Sequence, residues 1–536
     1  MARTKTRVAT IDAETDPFLH GRVPAPFCWG YYDGDVYADF WGDDCSEQLI
    51  EYLQTEPDKI IIYAHNGGKF DFHFLLPWLD QDLMIINGRI AKATLFNGRV
   101  ELRDSWLILP VGLAAMQKDA IDYNNFEREK REHHKRAILD YLKSDCVYLH
   151  KWVTMFRDNY GDGLTLAGAA FKQLKLTGYE IGRTGDDYDS LFRQYYFGGR
   201  VQCFNVGSFT GEHLYIDINS AYSYAMTFDH WHGSQYFEHL RMPEKDGNGS
   251  WFAEIDAISR GALPYRGDDG RLYFPDDGKV RRYMATGWEI LAGVETGTLD
   301  IVDVIRTFRP MFKRSFTAYV DKFFQIKQQA EKDGDAAMRL FAKLFLNSCY
   351  GKFGQDGRKF EKFALCDFGG WPEGDDWAPY SDTPTGQLIF SRPDPQDSFF
   401  NVSTAASITG FVRAYLWRAI CDSDGVLYCD TDSIMCRSTR VKTGSALGEW
   451  DIEARPVELH IAQRKMYALR MADGSTKTAS KGVRLSFDEI KAGVESGQSL
   501  TQKRDAPAFS LKYGARFVER ETDFSTIEKN MLTNPA

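Results

Sequence analysis

The sequence predicts a multidomain chain of mixed α/β and α+β class, and three observations carry that prediction. A chain of 536 residues is longer than one hydrophobic core organises. Residues 1–162 alternate strand-like apolar runs with helical stretches. From Leu214 onward, strand pairs, a long helical run and two loop-rich stretches follow one another.

Each element has its own signal. Strands are expected at Arg7–Ile11, Val36–Phe40 and Ile60–Tyr63, and a charged helix from Phe126 to Phe156. A new strand begins at Leu214, ahead of a Gly/Pro/Asp-rich stretch over 229–307. The strongest helical pattern runs from Ser315 to Tyr350, with spaced apolar positions and no proline. Residues 355–401 are loop-rich again. A helix from Ser403 to Ile420 then stops at the Cys421–Gly425 turn signal, before a strand pair over Tyr428–Cys436.

Apolar residues make up 43% and charged residues 26%, ordinary for a globular protein. The net charge of −11 does not exclude a nucleic-acid partner, because attraction depends on where charge sits; from Val441 onward 15 Lys and Arg face 13 Asp and Glu. Nine cysteines without a CxxC pair exclude the usual zinc frameworks and read as reduced thiols. The first residues lack a signal-peptide core, and no apolar run approaches the ~20 residues of a membrane span. A soluble, cytoplasmic, monomeric protein is expected, without a membrane partner.

Two constellations carry chemistry. Asp12 and Glu14 lie two apart on a strand, so both carboxylates face one way. Alone, such a pair is more often a strand edge. Asn66, Phe70 and Asp71 follow the apolar strand IIIYA, and Tyr141 and Asp145 share one face of a helix. Carboxylates so grouped suit divalent cations and phosphodiester cleavage, with a phenol to orient the attacking water. The ordered set D-x-E, N-x3-F-D, Y-x3-D resembles the DnaQ-like 3′–5′ exonucleases.

The second constellation starts at Asp217, on an apolar strand running to Tyr222. Asp430 and Asp432 flank Thr431, and strand alternation would send both to one face. Between them Arg339, Lys343, Asn347 and Tyr350 form one helical stripe, with cations for phosphates and a ring for a base. Aspartates of this kind can hold two metal ions around a triphosphate. D-T-D alone is more often a turn, and the stripe alone an ordinary amphipathic surface.

Together these residues resemble family B DNA polymerases, and within them the small, phi29-type protein-primed branch. The likeness rests on D-x-x-S-x-Y at Asp217, K-x6-Y-G at Lys343 and Y-x-D-T-D-S at Tyr428. Tyr196-Phe-Gly198-Gly199 is similar to the YxGG linker, Thr409 with Arg413 to a T-x3-R DNA-contact segment, and Lys465 with Tyr467 to the KxY primer-terminus motif. The likeness spans Asp12 to about Lys481. Ala221 and Ser223 depart from the branch's S-L-Y-P, and Trp106 stands where a Leu would follow Ser105.

The resemblance implies an RNase H-like exonuclease domain and a right-hand polymerase with antiparallel palm, helical fingers, small thumb and two insertions. The implied boundaries are 1–162 for the exonuclease, 163–227 and 403–482 for the palm, 228–310 for the first insertion, 311–354 for the fingers, 355–402 for the second insertion and 483–536 for the thumb. It implies polymerase-site metal held by Asp217, Asp432 and the Ile218 carbonyl, supported by Asp430, and exonuclease-site metal at Asp12, Glu14 and Asp145. Two divalent ions per site are implied, Mg²⁺ or Mn²⁺. Tyr222 would select deoxyribonucleotides. Asn66, Phe70, Ser105, Trp106 and Tyr123 would hold the frayed primer end, with Lys118 at the scissile phosphate and Lys481 among the DNA contacts. Primer–template DNA, dNTPs and a terminal protein as primer are the implied partners, on a linear viral or plasmid genome copied with strand displacement. The rival readings are a polymerase that starts without a primer, and an exonuclease on a non-catalytic DNA-binding platform.

Overall fold

The computed structural model describes residues 6–17, 22–112, 120–180, 182–243, 248–395, 400–480, 485–496 and 502–522. Two compact units make up the chain. One comprises Met1–Ala169, Gly357–Gln396 and Arg504–Glu519, the other chiefly Ala170–Asp356 and Asp397–Lys503.

The first unit is built on a ten-stranded mixed sheet. Its order is Ala378–Asp382, Leu388–Pro393, Glu361–Cys366, Asp82–Ile86, Arg89–Leu95, Val100–Asp104, Ile60–Ala64, Arg7–Thr15, Pro26–Tyr32 and Tyr37–Trp41. Ile60–Ala64 is parallel to both its neighbours and buried at all five positions, as a strand covered on two faces should be. Alternation decides which residues meet which helix. The Thr10 hydroxyl donates to the Cys146 carbonyl of helix Lys135–Tyr160 (2.8 Å), so Asp12 and Glu14 share that face. Trp29, paired with Ala13 on the other face, donates to Ser46 of helix Cys45–Gln54 (2.9 Å).

The charged helix expected from Phe126 begins only at Lys135 and extends to Tyr160. The polar run from Glu127 to His134 offers no apolar stripe to bury and forms turns instead. Residues expected as the second insertion do not stand apart. Glu361–Cys366 pairs with Asp82–Ile86 through Phe363 and Leu83, and Phe363, Leu365 and Ile389 join that sheet's hydrophobic core.

In the second unit a five-stranded antiparallel sheet runs Trp450–Ala454, Leu214–Ile218, Ser433–Cys436, Tyr428–Asp430, Val201–Cys203. A second, four-stranded sheet contains Pro456–Gln463 and Met466–Met471, and its Leu459, Ile461, Tyr467 and Leu469 bury Tyr215, Tyr428 and Met435 of the first. Helix Val402–Cys421, capped by Asn401, is buried at nearly every position. Another four-stranded sheet, built on His230–His239, Leu299–Arg314, Phe252–Ser259 and Val280–Thr286, forms over most of the residues expected as the first insertion.

The single helix expected over Ser315–Tyr350 is two, Thr317–Asp333 and Ala336–Ser348. Gly334 breaks it with φ of +69°, and Asp335 starts the next helix by accepting from the Met338 N–H (3.0 Å). Phe323 and Phe345 stack across the resulting hairpin at 4.8 Å.

Candidate active sites

The first site assembles in the sheet of the first unit. Carboxylate oxygens of Asp12, Glu14 and Asp145 all come within 4.8 Å of one another. Asp145 and Tyr141 arrive together from one helix face, and both are buried. Asp71 sits apart from that trio, fully buried, with its carboxylate accepting the Ala13 N–H (3.1 Å). Burial raises its pKa to about 7. The Tyr141 hydroxyl meets that of Tyr123 at 3.1 Å. Burial first, then that bond and the charges of Asp145 and Glu14, push the phenol upward, so it stays a neutral donor. Three clustered carboxylates, hard donors with little water, fit divalent cations.

Beside this trio the expected primer-end residues take different positions. Tyr123 is exposed, while Asn66 and Phe70 are half-buried. Asn66 is left-handed and accepts from Arg89 (3.2 Å). Ser105 is fully buried, its hydroxyl 3.0 Å from His65 Nδ1. Trp106 lies against His65 and under Arg89. His65, which also meets the Val111 carbonyl, and Arg89, which pairs with Asp104, are given no role in the sequence reading. Lys118 and Lys481 lie outside the described residues.

The second site is built on the five-stranded sheet. Asp217 lies opposite Ser433, and the Ile218 N–H donates to the Asp432 carbonyl (2.8 Å), placing that main chain beside Asp432. Strand alternation does not carry Asp430 and Asp432 to one face, because D-T-D is a tight turn with Thr431 at φ +61°. Asp430 turns to Lys465, whose Nζ lies 2.9 Å from both its oxygens. Asp432 is left to face Asp217. Burial, then Asp432 and Glu453, raise Asp217 to about 7. Burial, then Asp430, raises Asp432 to about 6. Two half-buried carboxylates, with Asp432 raising the pKa of Asp217, fit a divalent-cation site. Glu453, on the adjacent strand, is a further acid that sequence reading missed.

Arg339, Lys343 and Asn347 are exposed on helix Ala336–Ser348 as expected. Tyr350 leaves that stripe for a 3₁₀ turn, where it stacks on Tyr222 at 3.9 Å and 6°. Burial, then Lys343, lower the pKa of Lys327 on the facing helix, a cation not singled out in the sequence. Ser223, one of the departures from the branch pattern, donates from full burial to the Leu346 carbonyl (3.0 Å), a bond that proline cannot make. It links the helix bearing Tyr222 to the one bearing Lys343.

Three expected DNA contacts are buried. Thr409 is buried and donates to the Ala406 carbonyl. Arg413 is 2% exposed, ion-paired to Glu289 (2.7 Å), and holds the carbonyls of Phe197 and Gly198 (2.6 and 2.9 Å). Tyr467 is in the core against Tyr215 and Tyr428. Helix and strand packing, invisible in short motifs, turned these side chains inward. Lys465, at φ +60° in a hairpin, remains half-exposed.

An antiparallel sheet with paired aspartates, joined to a cation-striped helical hairpin, defines a nucleotide-polymerising enzyme. The model of DNA polymerase type B, organellar and viral, matches residues 113–365. A DNA-directed DNA polymerase of Enterobacteria phage PRD1 is 41% identical, over 97% of this chain and 98% of that protein. A DNA polymerase of Streptococcus phage Cp-1 is 24% identical, over 88% and 90%. The fold is that of phi29 DNA polymerase complexed with primer-template DNA and incoming nucleotide, with TM-score 0.73 and 17% identity over 97% of this chain and 100% of that one. The chain belongs to the type B DNA polymerases of organelles and viruses, and it is a DNA-directed DNA polymerase.

Proposed function

We propose that this polymerase also edits its product with a 3′–5′ exonuclease, and that it starts synthesis on the hydroxyl of a terminal protein. The observation that carries the editing activity is the meeting of Asp12, Glu14 and Asp145 within 4.8 Å. In synthesis the primer 3′-oxygen bonds to the α-phosphorus of a dNTP, the bond to pyrophosphate breaks, and the hydroxyl proton passes to solvent. Bound divalent ions, Mg²⁺ or Mn²⁺, would supply Lewis acidity at both sites, held by Asp217 and Asp432 and by Asp12, Glu14 and Asp145. Lys343 and Arg339 meet phosphate charge, and the Tyr222–Tyr350 stack gives the sugar and base a flat floor. In editing, water adds to the terminal phosphodiester and releases a deoxynucleoside monophosphate, with neutral Tyr141 orienting it. Asp71 holds the Asp12–Glu14 strand through the Ala13 N–H.

Protein priming, a linear genome and strand displacement rest on the family's protein-primed branch. No helix among the described residues is long and apolar enough to cross a membrane; likeness to phage polymerases supports work in a host's cytoplasm. A 5′-labelled single strand with Mg²⁺ and no dNTP tests editing. Wild type shortens it stepwise, and Asp12→Ala or Asp145→Ala slows this by about 100-fold or more. Unchanged degradation in these variants would remove the assignment. Label from a dNTP becoming covalently attached to an added terminal protein supports protein priming. Product on single-stranded circles without any primer shows that a protein primer is not obligatory.

A further inference from the structure

Arg200 follows directly on the Tyr196–Gly199 linker and is 1% exposed. Its Nε and Nη2 donate to Gln202 Oε1, and its Nη1 to the Gly261 carbonyl (2.7 Å). The guanidinium lies 4.1 Å from the Phe274 ring centre and 4.4 Å from that of Trp417. These acceptors are uncharged. Burial lowers its pKa to about 10, which leaves it charged at neutral pH. Enclosing a cation in rings and amide oxygens is costly, and the enclosure leaves its backbone little freedom.

That backbone touches the polymerase site. The Arg200 carbonyl accepts the Thr431 N–H (2.6 Å), at the turn between Asp430 and Asp432. Gly199 lets the turn come close, since a Cβ there would lie 2.8 Å from the Thr431 side chain. Val201–Cys203 continues from Arg200 as the strand beside Tyr428–Asp430. The cage walls come from elsewhere in the unit. Gly261 and Phe274 belong to the first insertion, and Trp417 donates to Thr298 of that insertion (2.9 Å).

We propose that Arg200 is a positioning residue for polymerisation: caged between the first insertion and Trp417, it seats the Thr431 turn and so sets the place of Asp432 opposite Asp217. The guanidinium reaches none of the reacting groups and acts through its own carbonyl.

The test uses the full chain with Arg200→Lys, Arg200→Met and Phe274→Leu, the last keeping the arginine and removing one ring. Single-nucleotide extension of a primed template is measured against dNTP and against Mg²⁺, below the melting temperature of each variant. The expected result for Arg200→Met is a kcat lower by about 10-fold or more, a dNTP KM within about 3-fold of wild type, and a several-fold higher half-activating Mg²⁺ concentration. Arg200→Lys and Phe274→Leu move the same two quantities less. If Arg200→Met does not fold, those two decide by the same criteria. Wild-type kcat and Mg²⁺ requirement with only a lower melting temperature, or a loss confined to KM, would overturn the proposal and leave Arg200 a structural brace.

Discussion

At the scale of single residues, the charges around each acid of the polymerase site distinguish what each does. Asp430 is ion-paired to Lys465, while Asp217 is pushed up by burial, Asp432 and Glu453, and Asp432 by burial, Asp430 and Glu453. Their folded pKa values, about 7 and about 6, exceed the ~3.9 of an unfolded aspartate. Between about pH 4 and pH 7 these two groups therefore bind more protons in the folded, metal-free chain than in the unfolded one, and the stability they contribute falls as pH rises through that window. Mg²⁺ should raise the melting temperature more at pH 8 than at pH 5, and Asp217→Asn should shrink the difference. An equal gain at both pH values in wild type would contradict this. The Arg413–Glu289 pair is a different case, with side chains 2% and 1% exposed. Arg413→Met leaves a carboxylate buried and should cost about 3–5 kcal/mol in urea unfolding; a loss below about 1 kcal/mol would show that the pair carries little. Asp12, Asp145, Asp217 and Asp432 were legible because their chemistry sits in short contiguous motifs. The inward turn of Arg413 and Tyr467 was not, because it depends on partners such as Glu289 and Tyr215 more than 100 residues away.

At the scale of elements, the strand expected at Ile60 and the buried helix starting near Ser403 were read closely, because a continuous apolar run and a capped apolar stretch announce themselves. The helix from Ser315 was overextended, since a lone glycine within a helical pattern is ambiguous until its φ is known. The pairing of Glu361–Cys366 with Asp82–Ile86 was not legible, because nothing in Phe363 or Leu365 reveals that Leu83 is across the sheet. Ser223 shows how one element holds another. Its bond to the Leu346 carbonyl fixes the Tyr222 helix against the Lys343 helix. Ser223→Ala should cost about 1 kcal/mol of stability and raise the dNTP KM severalfold, with exonuclease rate unchanged in the same preparation. A wild-type KM would mean that the two helices hold their places without this bond.

At the scale of the whole molecule, the chain carries two carboxylate centres on two different sheets, each in its own compact unit. Independent seating predicts independent loss. The most direct test is extension of a labelled primer–template with Mg²⁺, with and without dNTPs, by wild type, Asp12→Ala/Asp71→Ala and Asp432→Ala. Wild type should lengthen the primer with dNTPs and shorten it without them. The first variant should only lengthen it, and the second should only shorten it. Loss of both activities in either variant, or degradation that persists in the first, would contradict two separate sites.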